Sequence, residues 1–246
     1  MEKTQKPLRK FGEGAWIAGL IVLALGTALA AKADFGVSMV VAPAYVISEK
    51  TPLTFGMAEW IYQGLLMGAL CIAIGRFRIS MLLSFGTSFL YGLALDFWNL
   101  VVFKNLAAGS LPVRIALLAL SLICVSLGVT LFFMSYLPAQ ICDMFVKETS
   151  EKYKLNRSKV KYAFDAASLA LALLLSLILF GGVWGHGIGI GTIAATLLNG
   201  LLIALFTRLL GKFIDFSPLI KPLYKWLGNS GGHEGESGKD NYGMDD

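Results

Sequence analysis

The chain has 246 residues, of which 56% are hydrophobic and only 15% charged, with a formal net charge of +5. Such a composition excludes an ordinary soluble domain. The charges fall in short clusters between apolar runs about 20 residues long, the length that spans hydrocarbon. The positive balance is therefore the Lys/Arg excess of cytoplasmic loops, not a nucleic-acid footprint, and the lipid bilayer is the first partner.

The chain opens with a basic stretch, residues 1–11, carrying Lys3, Lys6, Arg9 and Lys10. An apolar run follows over 11–31, in which Ala28-Leu29-Ala30 resembles a signal-peptidase site. The run is long for a signal core, and 113–135 repeats its pattern inside the chain, so an uncleaved first helix is expected. Six segments are long enough to span: about 12–32, 55–75, 79–102, 113–136, 159–180 and 188–210. Two further apolar segments, 35–47 and 137–146, are too short. Thirteen helical residues cover only about 20 Å of a core about 30 Å thick. Each short segment holds a proline, Pro43 or Pro138, and directly follows a long helix. They read as re-entrant half-helices lining a protein-walled cavity or as amphipathic helices in the interface; two further spans, eight in all, are the remaining choice. After Lys225 the composition turns Gly/Ser-rich and acidic, and 228–246 is expected to be a disordered cytoplasmic tail.

The segments come twice in the same order. Leu25-Gly26 recurs as Leu127-Gly128 (offset 102), Glu59 as Asp165 (offset 106) and Gly86-Thr87 as Gly191-Thr192 (offset 105). The expected organisation is all-α and polytopic. About six spanning helices and two short ones form two pseudo-symmetric membrane repeats, 12–103 and 113–212, a build found in many transporters. With six spans and a cytoplasmic N-terminus, 17 Lys/Arg fall inside and 4 outside; with eight spans the split is 18 and 3. Both place 147–161 inside. Six spans make the halves inverted, and eight make them parallel.

Ionisable residues within spans are the default functional candidates. Glu59 and Asp165 are the first pair: at similar depth in inverted halves they suit a proton or cation relay, while each could also complement the N-terminal dipole of its own helix. Asp143, with Gln140 beside it, lies in the second short segment and lines a cavity if that segment is re-entrant. Asp96 precedes Phe97-Trp98, an aromatic pair of the kind that marks the interface. Gly26, Gly86, Gly128 and Gly191 read as helix-packing glycines, as do Gly12, Gly14, Gly64 and Gly68. The run 181–191 holds six glycines, but no Lys-Ser/Thr follows, so it is not a phosphate loop. His186 alone is no metal set, and Cys71, Cys124 and Cys142 sit at unrelated spacings. No pairing of a base with a nucleophile is present, so neither an enzyme nor a cofactor or metal is expected.

Leu25-Gly26-Thr27-Ala28-Leu29, followed by Ala33-Asp34-Phe35-Gly36-Val37-Ser38, resembles the opening of the bacterial YczE/YyaS/YitT-type membrane proteins. Gly189-Ile190-Gly191-Thr192 through Leu197-Leu198-Asn199-Gly200 is similar to the helix that closes their second half. The resemblance covers most of 12–210. Met39-Val40-Val41 stands where that family often shows a Pro-Trp-Asp turn. The resemblance implies a multi-span inner-membrane protein, often suspected of transport, and supplies no substrate. The functional expectation is a small-solute transporter or exporter taking a small-molecule substrate or a coupling proton or cation. The alternative is a non-transporting membrane subunit that binds a ligand or a partner such as an ATPase, docking through 147–161 and the tail.

Overall fold

The computed structural model describes residues 12–106, 109–182 and 186–213. The basic start 1–11 and the tail 228–246 lie outside the described residues. Among the described residues all regular structure is helical: α1 (Gly12–Ala33), α2 (Ala42–Lys50), α3 (Phe55–Ile74), α4 (Ile79–Asp96), a π-helical turn (Phe97–Val102), α5 (Leu111–Met134), α6 (Ile141–Lys152), α7 (Arg157–Phe180) and α8 (Ile190–Phe213). Six of these, counting α4 with its π-helical extension as one, are long and apolar enough to cross a membrane. The protein is a multi-pass helical membrane protein.

Local chemistry sets the boundaries. The Thr54 hydroxyl accepts from Met57 N–H and caps α3, while the Asn156 side chain accepts from Ser158 and Lys159 N–H and caps α7. Gly75 (φ +74°) and Gly181 (φ +72°) end those helices in the left-handed conformation, which glycine adopts without steric cost. Prolines open α2 and α5, where a missing N–H leaves no donor unused.

The short segments are placed differently from the sequence expectation. Neither is helical from its start: 35–41 and 136–140 run as loops and turns, and the helices begin at Ala42 and Ile141. Pro138 disfavours helix at Leu137, whereas Pro43 sits in the first turn of α2, where a proline is accommodated. Both helices then continue past the apolar run, α2 to Lys50 and α6 to Lys152. Neither lies on the bundle surface. Ala42, Ala44 and Val46 of α2 and Ile141 of α6 are fully buried.

α1 and α5 form the spine of the molecule, antiparallel and in backbone contact. A Cβ on Gly26 would lie 2.7 Å from Val125 N, and a Cβ on Gly128 would lie 2.7 Å from Leu23 N. Gly19 completes the seam against Leu131 and Phe132. α4 packs on α1 and α8 on α5; α3 pairs with α4. α2 sits between α3 and α7, and α6 packs on α3, α4 and α7. The two short segments approach each other inside the bundle, where Val40 packs against the cluster of Cys142, Val146 and Phe164.

Candidate functional site

α6 begins deep in the bundle and ends at one face of it. At its far end the Lys152 ammonium donates to Ala73 O (2.7 Å) and Ile74 O (3.2 Å), the last carbonyls of α3. Glu148 receives both hydrogen bonds of Arg78, at 2.9 and 3.1 Å. At its start, Ile141 N–H donates to Ser88 Oγ (3.1 Å) and Cys142 N–H to Gln63 Oε1 (3.2 Å). Gln63 lies eight residues into α3, about 12 Å along its axis. Gln140 meets it at the same level. The first free amides of a short helix are therefore delivered to mid-bundle, where helix ends must find protein partners.

Those amides fix the orientation of a buried network. Cys142 N–H requires an acceptor, so Gln63 turns its oxygen to α6 and its nitrogen away. Gln63 Nε2 then donates to Glu59 Oε1 (3.0 Å) and to Gln140 Oε1 (2.9 Å). Ser88 Oγ lies 3.1 Å from both Gln63 Oε1 and Ser84 O. Glu59, Gln63 and Ser88 are 0% exposed and Gln140 is 5% exposed. Two atoms of the network, Glu59 Oε2 and Gln140 Nε2, have no hydrogen-bond partner among the described residues. Tyr91 (1% exposed) walls the adjacent space, donating to Thr27 Oγ1 at 2.8 Å.

The magnitudes bear on the charge of Glu59. An ionised carboxylate buried without a counter-charge costs several kcal/mol. The N-terminal dipole of a helix returns about 0.3–1 kcal/mol, up to about 2 in favourable geometry. Here the first amides of α6 are spent on Ser88 and Gln63, so the dipole reaches Glu59 only through them.

The remaining candidates fall elsewhere. Asp165 does not join Glu59; it is half-buried and paired with Lys161 at 2.8 Å, one turn back on α7. Asp143, in the first turn of α6, faces this pair. Burial raises its carboxyl above the ordinary range, against the opposing pull of Lys161 and Arg157. Burial also pushes the neighbouring Cys142 thiol well up. Asp96 caps the start of α3, accepting from Thr54 Oγ1 (2.5 Å) and Gly56 N–H (2.8 Å). Of the four packing glycines, Gly26 and Gly128 meet the backbone of the facing helix, and Gly191 lies against Phe35 O of the loop before α2. A Cβ at Gly86, as at Gly68, would meet nothing within 4 Å among the described residues. His186 stacks on Phe180, ring centroids 3.6 Å apart.

Gln63, Ser88, Tyr91 and Thr27 belong to the site and escaped the sequence reading. Gln63 carried a usable signal, since an amide in an apolar span is costly unless partnered. A separate open recess of about 430 Å³ lies between residues 34–36 and 187–190, and includes none of the network.

The chain belongs to a family of unknown function, DUF6198, whose model matches residues 13–208. It is also similar to the uncharacterized protein YyaS of Bacillus subtilis (strain 168), at 27% identity over 191 residues, covering 76% of this chain and 88% of that protein. No solved structure matches the chain.

Proposed function

We propose that this protein is a secondary transporter or exporter of a small solute in the plasma membrane, built from two inverted halves around the Glu59 network. The observation that carries the reading is Glu59 itself: a fully buried carboxylate with an unpartnered oxygen, set beside the start of a half-helix inside the bundle. Interrupted segments that deliver helix ends to mid-membrane are the usual architecture of transporter binding sites.

Reciprocal contacts support the two-fold relation of the halves. In a two-fold arrangement, if one residue touches a second, their counterparts touch in the same way. An offset of 102 carries Gly26 to Gly128 and Leu23 to Val125, and Gly26 abuts Val125 as Gly128 abuts Leu23. Thr87 donates to Pro138 O (3.0 Å), ahead of α6, while Gly191 N–H donates to Phe35 O (2.8 Å), ahead of α2. Each Gly-Thr pair thus holds the loop of the opposite half. Arg114 at the start of α5 pairs with Asp34 after α1, at 2.7 Å. Glu13 at the start of α1 accepts from Tyr136 after α5. Tyr62 and Ser168, related by an offset of 106, bond to each other at 3.3 Å.

Proteoliposomes of the purified protein, loaded with an isotope-labelled extract of small cell metabolites, test the reading by mass spectrometry of what leaves. One or a few solutes should leave faster than from protein-free vesicles, and Glu59→Gln should abolish that excess. Equal efflux with and without protein, in both insertion directions, would reject transport. An excess that survives Glu59→Gln would reject the site.

A further inference from the structure

We infer that Glu59 is the proton-carrying group of the transport cycle, neutral while the network is closed and exchanging its proton when the site opens to water. This rests on the transport reading for its role in a cycle; the protonation of Glu59 stands on the geometry alone. The step is the simplest that balances: a carboxylate takes one proton to become a carboxyl group, and no other bond changes.

Three observations lead here. First, among the described residues no positive charge faces Glu59. The titratable groups acting with it are Tyr62 on its own helix, Tyr91 of α4 and Cys142 of α6, each neutral in its protonated form. α2, packed on the same helix, contributes the buried Ala42, Ala44 and Val46 and sets Tyr45 against Phe55. The nearby cations are engaged elsewhere: Lys161 with Asp165, Arg78 with Glu148, Lys152 with the end of α3.

Second, the described residues of the site offer no cage for a metal cation. Hard cations require several converging oxygens. Gln63 Oε1 is turned to Cys142 N–H, and both Glu59 Oε1 and Gln140 Oε1 receive Gln63 Nε2. Glu59 Oε2 is the network's one oxygen without a donor or acceptor partner. A proton needs only that atom.

Third, the helix end that could hold an anion is already occupied. The first two α6 amides go to Ser88 and Gln63, and burial of an unpaired carboxylate outweighs what the dipole contributes through them.

Infrared difference spectroscopy on the full-length protein in lipid nanodiscs tests this without any solute. The wild type should show the carbonyl band of a buried protonated carboxyl at neutral pH. The band should shift on deuteration, vanish reversibly at alkaline pH, and be missing from Glu59→Gln. Glu59→Asp should keep a band at a displaced position, which separates loss of the group from loss of the fold. A spectrum at neutral pH with no Glu59-dependent band would overturn the inference. So would a band removed by exchanging choline chloride for sodium chloride, which would make the site a sodium site. A Glu59-dependent band in a protein that moves no solute leaves Glu59 protonated and rejects transport instead, so the two failures are distinct.

Discussion

Gly26 and Gly128 each stand where a methyl group would strike the backbone of the facing helix. Gly26→Ala or Gly128→Ala should destabilise by about 1–3 kcal/mol through overpacking, whereas Gly86→Ala, in open space, should stay within about 0.5 kcal/mol. Thermal unfolding in one detergent compares all three. Asp143 makes a pH prediction. Its carboxyl is raised by burial, so the folded state binds more protons than the unfolded one above the ordinary value of 3.8. Stability therefore falls as pH rises from there through the raised value. Asp143→Asn should remove that fall, which unfolding curves across mildly acidic pH would register; an unchanged slope would count against it. At this scale the sequence was half legible. Glu59 stood out because a carboxylate in an apolar span is conspicuous. Gln140 was conspicuous too, but its pairing was not: it and Gln63 are 77 positions apart, and nothing local pairs an amide in one span with an amide in a loop.

Among the elements, α6 is held by its two ends. Its start is tied to Gln63 and Ser88, and its finish to the junction of α3 and α4 through Glu148 and Lys152. Arg78→Ala should cost about 1–3 kcal/mol, because it leaves the largely buried Glu148 without its charged donor. Adding Glu148→Ala should restore part of that loss, and a double-mutant cycle measures the coupling. Strict additivity would mean that the pair does not anchor α6. The long helices were readable from apolar length, glycine stops and caps. The short ones were read too early along the chain. Hydropathy marks where a segment is buried, not where it turns helical, and each short helix begins only once the chain is already inside the bundle. The polar second half of α6 then carries it outward as helix through a stretch that looks like a loop.

At the scale of the whole molecule, six spans require the loop after the π-helical turn to lie across the membrane from the basic stretch 147–161. In a background free of Cys71, Cys124 and Cys142, a cysteine at Gly109 should react with an impermeant thiol reagent in intact cells. One at Lys154 should react only after the membrane is opened. Equal behaviour at both positions would require an even number of spans between them and would end the inverted arrangement. The contact between α1 and α5 has a mechanical consequence as well. At Gly26 and Gly128 the facing helix brings its backbone and the side chains of Leu23, Cys124 and Val125 so close that no further methyl fits, so any relative motion of the two helices would have to turn about this seam. A turn of about ten degrees moves a helix end about 15 Å away by nearly 3 Å. A movement of that size would part Asp34 from Arg114 at one tip or Glu13 from Tyr136 at the other, while the seam itself stays almost still.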